Sequence, residues 1–231
     1  MEISERKKRI LLTIIKEYIK NVQPVSSGIL VEKCKLDISS ATVRNEMAEL
    51  EEGGFIFQPH TSAGRIPTEL AYKFFVSDFL SAKNRKPDLK NQKALDDIFG
   101  YSEENFKAVA KKLADISKNA VFWAFHKNNL YYTGVSNLFF QPEFKQSNIA
   151  CDVSIVIDRM EEIIADIFDK LNLGENIFIG SENPFGQFLS SLVLKYEDKK
   201  QRGLVGIMGP IRMDYEKNLD LIYYLKSKFN K

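Results

Sequence analysis

The sequence predicts an α+β protein in two parts, and three observations carry that prediction. Residues 4–54 place apolar side chains at helical spacing in three short runs, residues 55–67 switch to alternation, and from residue 94 strand-like and helix-like segments interleave. An apolar content of 44% over 231 residues is ample for two packed cores.

In the first run Ile10, Leu11, Ile14, Ile15, Tyr18 and Ile19 share a face, with Arg6, Lys7, Lys8, Arg9, Lys16 and Lys20 around it. That spacing predicts a helix over 4–20 that is basic on its outer side. Pro24 in NVQPVSSG forbids continuation, and Ser26 or Ser27 is a good N-cap for a second helix at 27–33. The tight connection KLDI leads to Ser39 and Ser40, alternative caps for a third helix that stops at Gly53 and Gly54. Two short helices joined by a tight turn form a helix-turn-helix pattern. FIFQPH then alternates like a strand, TSAG has turn chemistry and RIP returns, which predicts a β-hairpin. Thr68 caps a fourth helix with Leu70, Phe74, Phe75, Phe79 and Leu80 as its apolar face. The charged stretch KNRKPDLKNQK, residues 83–93, contains Pro87 and reads as a linker between a first domain, 1–82, and a second, 94–231.

In the second part Phe106, Val109, Ala110, Leu113 and Ile116 predict a helix over 103–118. AVFWAFH and LYYTGV read as strands meeting at the turn KNN, residues 127–129. A helix over 158–171, the strands NIFIG, SSLVLKY and GLVGIM, and a closing helix from Asp214 to Phe229 complete it. Such interleaving predicts a mainly antiparallel sheet with helices packed against it.

Composition excludes several classes. Apolar runs such as ILLTII are far shorter than the roughly 20 residues a membrane span needs, so no membrane contact is expected. MEISERKKRI has no apolar core or cleavage site, so a cytoplasmic location is expected. Cys34 and Cys151 lie far apart, without ligand spacing, and are expected to be reduced, partly buried thiols with no disulfide and no metal. The net charge is only +2, but residues 1–45 hold nine Lys/Arg against five Asp/Glu, and residues 46–82 hold two against six. Any nucleic-acid contact must be local, on one basic face.

The third helix points to such a contact. Val43, Met47 and Leu50 fall on one side, while Ala41, Asn45 and Ala48 point away, flanked by Thr42 and Arg44. An ordinary solvent-facing helix carries Glu, Lys and Gln there, so this small polar entrance sacrifices intrinsic helicity. The major groove of DNA admits one helix, whose first residues meet the base edges. Arg44 suits a guanine edge, Asn45 an adenine edge, and Ser40 or Thr42 a base or phosphate. Helix starts at Ser27 and Ser40 offer N–H groups to phosphates. His60, Ser62 and Arg65 lie by the hairpin turn, as in a wing along the backbone, and Arg6 and Lys7 of the first helix are further phosphate candidates. The plain alternative is a small helical domain whose Arg and Asn are solvated or serve protein contact.

Elsewhere the chemistry is sparse. GIMGPIRMDY lacks the spacing and the Lys-Ser/Thr of a phosphate loop, and Arg212 and Asp214 read as holding the turn into the last helix. Ser181, Glu182 and Asn183 read as turn and cap residues. The only two histidines, His60 and His126, fall in different predicted domains, so no catalytic site and no cofactor is expected. Phe122, Trp123, Phe125, Tyr131 and Phe178 read as core, with a small-molecule pocket as the alternative.

ISSATVRNEMAELEEGGFIFQPHTSAGRIPT, with SERKKRILLTIIKEYI and QPVSSGIL before it, closely resembles the winged-helix domain of the HrcA family of bacterial heat-inducible transcription repressors. LYYTGVSNLFFQPEF, IFIGSENPFGQF and GLVGIMGPIRMDYEKNLDLIYYL resemble the family's C-terminal blocks, which belong to a GAF-like domain. The resemblance covers nearly the whole chain except 83–120. It implies an N-terminal winged helix-turn-helix domain on a GAF-like regulatory and assembly domain. It further implies repression of chaperone operons at an inverted-repeat operator, the CIRCE element, with feedback through the GroEL chaperonin. In one respect the chain departs from the pattern: the dimerising domain usually inserted in the GAF-like part is missing, its place falling near KNN. A two-fold operator then requires a homodimer, at least on DNA, through another surface. The surface expected is residues 94–118 with an edge of the sheet. A regulator with a different operator and regulon, and a non-DNA adaptor, are the rival expectations.

Overall fold

Helix α1, Glu5–Asn21, starts where the Ser4 side chain accepts the Lys7 N–H, and ends at Val22, whose left-handed φ of 55° stops it. It buries Ile10, Leu11, Ile14 and Ile15 completely, and these form the floor on which the other helices rest. Helices α2, Ser27–Cys34, and α3, Ser40–Glu52, pack on α1 and on each other. Strands β1, Ile56–Phe57, and β2, Ile66–Pro67, pair antiparallel as a short hairpin. Thr68 then caps α4, Glu69–Phe74, which widens into one π-helical turn over Phe75–Phe79. Here the expected apolar face shifts: Ala71, Tyr72, Phe75 and Leu80 are buried, whereas Leu70 is 46% exposed.

In this computed structural model the described residues are 3–34, 39–80, 87–145, 147–197 and 201–229. The connection KLDI and the first part of the expected linker lie outside them. The chain forms two compact units, Met1–Ser81 and Ala82–Lys231. Helix α5, Leu89–Asp96, begins inside the stretch expected to be linker. Asp88, directly after Pro87, caps it by accepting the Asn91 N–H at 2.9 Å, so the proline sits just outside the helix it was expected to prevent.

The second unit is built on a five-stranded antiparallel sheet in the order β4-β3-β7-β6-β5. Its strands are β3, Ala120–His126; β4, Asn129–Thr133; β5, Gly174–Ile179; β6, Leu189–Glu197; and β7, Arg202–Pro210. Side chains alternate across the sheet. Trp123 points toward α6, Glu103–Ser117, and α10, Tyr215–Phe229, stacking on Phe106 at 4.6 Å and donating Nε1 to the Tyr196 hydroxyl at 2.8 Å. Phe122 points the other way, into a core with Phe144, Val153, Ile164, Phe168 and Phe185. Gly206, paired with Phe122, leaves room for that ring where any side chain would collide. The opposite core draws on α7, Val135–Phe139, α8, Ser147–Asp158, and α9, Met160–Phe168. Helix α8 is absent from the sequence reading, because its mixed pattern SNIACDVSIVID shows no clean apolar stripe.

The five aromatics offered as a pocket therefore divide. Trp123 and Phe125 belong with Phe106 on one face, where the half-buried Tyr131, paired with Trp123, lies under Lys107, and Phe122 and Phe178 join the core on the other. Arg212 holds the last turn as read, its Nη2 donating to Gln141 at 2.8 Å and to Glu143 at 2.9 Å, while Asp214 accepts the Lys217 N–H at 3.0 Å at the start of α10. Asn183 accepts from the Ser191 hydroxyl at 2.9 Å within the buried turn that follows β5.

Candidate nucleic-acid interface

Helix α3 starts where the extended Ser39 accepts the Thr42 N–H at 3.2 Å. Ser39 is thus the cap and Ser40 the first helical residue, which releases the Ser40 hydroxyl. That hydroxyl lies 3.1 Å from Ser27 Oγ. Ser27 is released in the same way, because Ser26 accepts the Ile29 N–H at 3.4 Å and serves as the cap of α2. Arg44 folds back over the pair, with Nε donating to Ser27 Oγ at 3.5 Å and Nη2 to Ser40 Oγ at 3.4 Å. These are long bonds that orient the guanidinium while leaving it donors to spare. A hydroxyl pair and a cation thus sit beside the first N–H groups of two helices, an arrangement suited to anions.

The outer face of α3 is as read: Ala41, Arg44, Asn45 and Ala48 are exposed and Thr42 is half-buried. The inner face holds Val43, Met47 and Leu50, all buried, and also Glu46 at 4% exposure. Arg6 meets that carboxylate, donating Nε to Oε1 at 2.7 Å and Nη2 to the same oxygen. Glu46 Oε2 is buried without a hydrogen-bond partner among the described residues. The Arg6 side chain is itself half-exposed, so water screens the pair from the guanidinium side, but the buried Oε1 receives two of its N–H groups. Lys7 pairs with Glu49 nearer the surface, Glu49 being 55% exposed. The hydrogen bond to Glu49 is the main cause that raises the Lys7 pKa above the usual lysine value.

At the hairpin, His60 and Ser62 are exposed, and Ser62 turns the chain with a left-handed φ of 73°. Arg65 is not at the tip. Its Nε donates to Glu51 Oε2 at 2.8 Å, and its backbone exchanges two 2.9 Å bonds with Val25. Glu51 Oε1 also accepts the Gln58 N–H at 3.0 Å. A cleft of about 360 Å³ opens between the helix starts and the hairpin, lined by Ser26, Ser27, Arg44, Gln58, Ser62 and Gly64 among others.

The structure thus gathers Ser27, Ser40 and Arg44 at one point, sets Ala41, Thr42 and Asn45 beside them, leaves His60 and Ser62 at the hairpin, and turns Arg6, Lys7 and Arg65 onto carboxylates. Sequence reasoning missed Glu46, Glu51 and Gln58. Glu46 was legible in part, since three residues after Val43 it lies on the flank of the apolar stripe. The thiols differ from expectation in one case: Cys34 is buried, with Sγ 3.2 Å from Thr13 Oγ1, but Cys151 is exposed on α8. Among the described residues no helix is long and apolar enough to cross a membrane, and no group of three or more His, Cys, Asp or Glu could hold a metal.

The relatives found by comparison are, by name, transcription repressors. The chain belongs to the HrcA family: the family described as "HrcA protein C terminal domain" matches residues 72–219. The heat-inducible transcription repressor HrcA of Carboxydothermus hydrogenoformans is 28% identical over 329 aligned positions, covering 96% of each chain. With 231 residues here, at least 98 of those positions face a gap. The repressor of the same name from Acetivibrio thermocellus is 42% identical over 224 residues, 96% of this chain but only 58% of that one. A solved structure of a "hypothetical protein" superposes with a TM-score of 0.83 over 99% of this chain and 98% of the other at 19% identity, a likeness of fold alone.

Proposed function

We propose that the chain represses heat-shock chaperone operons by binding an inverted-repeat operator of the CIRCE type through its first unit, read as a winged helix-turn-helix. Helix α3 enters the major groove, with Arg44 and Asn45 at base edges and Ala41 and Ala48 permitting close approach. Ser27, Ser40 and Thr42 meet phosphate at the helix starts, and His60 and Ser62 place the hairpin along the backbone. Lys7 supports a phosphate at the edge, whereas Arg65 acts from behind by holding the hairpin. The second unit, read as GAF-like, provides assembly and regulation without catalysis. Two such units on a two-fold operator imply a homodimer, at least on DNA, through residues 94–118 and a sheet edge. GroEL is the proposed partner in heat control, and the cytoplasm the proposed location.

The observation that carries this reading is the cluster of Arg44, Ser27 and Ser40 beside a small, exposed face of α3. Fluorescence anisotropy with the inverted repeat and a scrambled duplex, across a salt series, tests it: specific binding should exceed non-specific by about 10³-fold or more. Equal binding to both duplexes rules it out. Sedimentation without DNA tests assembly, since a strict monomer at tens of micromolar excludes a preformed dimer.

A further inference from the structure

We propose that Arg6 serves recognition as a positioning residue, held on the buried carboxylate of Glu46 so as to set the presentation of α3, and does not itself touch phosphate. This rests on the reading of α3 as the DNA-contacting helix.

Glu46 is adjacent to Asn45 and two residues beyond Arg44, so any rotation of α3 that moves one moves all three. Its side chain is 6% exposed, and burying a carboxylate costs heavily unless a cation and hydrogen bonds compensate. Two N–H groups of Arg6 converge on Oε1, while Oε2 has no hydrogen-bond partner among the described residues. Arg6 comes from the first turn of α1, the helix that Ile10, Leu11, Ile14 and Ile15 seal into the core. The pair therefore references the middle of the reading helix to the most deeply anchored helix of the unit. The Arg6 side chain is half-exposed, so water already reaches the guanidinium, but it does not reach Glu46: transferring Arg6 to a phosphate would leave a buried carboxylate without the two donors now on Oε1. Lys7 is free of that constraint, because water can replace it at the exposed Glu49.

The test compares the full chain with Arg6→Gln and with Arg6→Gln/Glu46→Gln, each checked for folding by circular dichroism. Anisotropy is measured on inverted-repeat and scrambled duplexes across a salt series. Arg6→Gln should bind the inverted repeat about tenfold more weakly, a loss of about 1.4 kcal/mol, with scrambled binding and salt slope unchanged. A contribution to stability alone would leave the ratio of the two affinities unmoved. The double variant, whose two amides pair without buried charge, should recover to within about threefold of the unchanged chain at the same slope. If Arg6→Gln does not fold, the double variant decides alone. Weaker binding of the double variant to both duplexes, with a slope shallower by about one unit, would make Arg6 a phosphate contact and overturn the proposal. Failure of the unchanged chain to prefer the inverted repeat overturns both this inference and the function on which it rests.

Discussion

Arg65 of the hairpin turns its guanidinium onto Glu51 of α3, Nε to Oε2 at 2.8 Å, while its backbone pairs with Val25 ahead of α2. One residue thus joins the hairpin, the third helix and the approach to the second. Glu51→Ala removes this bond and the acceptor of the Gln58 N–H. Discounted for the partial exposure of the pair, the loss should be about 1–2 kcal/mol. Hydrogen exchange should show the Gln58 amide opening faster while α1 amides keep their protection.

Gly64 is required by close approach. A side chain there would begin 2.5 Å from the carbonyl of Val25 and 2.8 Å from the Pro24 carbonyl carbon, against rigid backbone. Gly64→Ala should break the Val25 pairing and cost about 2–3 kcal/mol, the upper part of the overpacking range. Denaturant unfolding of the first unit measures it.

Arg44→Ala should weaken inverted-repeat binding by about 1–3 kcal/mol and relax preference at one base pair. Arg44→Lys should recover little, because a single ammonium cannot span Ser27, Ser40 and a base edge as the guanidinium fork does. Equal weakening on every sequence would assign Arg44 to phosphate instead.

Lys7→Ala should weaken inverted-repeat and scrambled binding alike and flatten the salt dependence by about one unit. Its pKa is raised, chiefly by the hydrogen bond to Glu49. The stability from this pair is therefore complete below the unfolded lysine pKa and is lost only as pH rises through the higher folded value. Between about pH 6 and 9 the pair should contribute no pH dependence, which denaturant unfolding of the unchanged chain and Lys7→Ala at both ends of that range will check.

In the second unit Tyr196→Phe leaves the buried Trp123 Nε1 without its 2.8 Å acceptor. An orphaned buried donor costs about 1–3 kcal/mol. The chain has a single tryptophan, so its fluorescence follows the unfolding directly.

Much of the fold was readable from local rules. Periodicity and caps place α1, α3, α6 and α10 to within a residue or two, since each has a continuous apolar stripe and a Ser, Asp or Gly boundary. α5, α7 and α8 are not legible there: Pro87 reads as a breaker although it precedes the capping Asp88, Val135 reads as the end of a strand although it opens α7, and α8 presents no clean stripe.

What the sequence by itself determined is the exposed chemistry of α3. The 100° step of a helix sends Ala41, Asn45 and Ala48 away from Val43, Met47 and Leu50 whatever surrounds them. Tertiary structure decided which cations remain available. Arg6, Lys7 and Arg65 look alike in the sequence, yet their partners Glu46, Glu49 and Glu51 are distant in the chain and meet them only when helices and hairpin pack. Arg44 stays open because Ser26 and Ser39 take the capping places, leaving Ser27 and Ser40 to hold its guanidinium at the mouth of the cleft. Long-range ion pairing is set by the relative placement of elements, and that placement depends on the packing of whole faces rather than on any local run of residues.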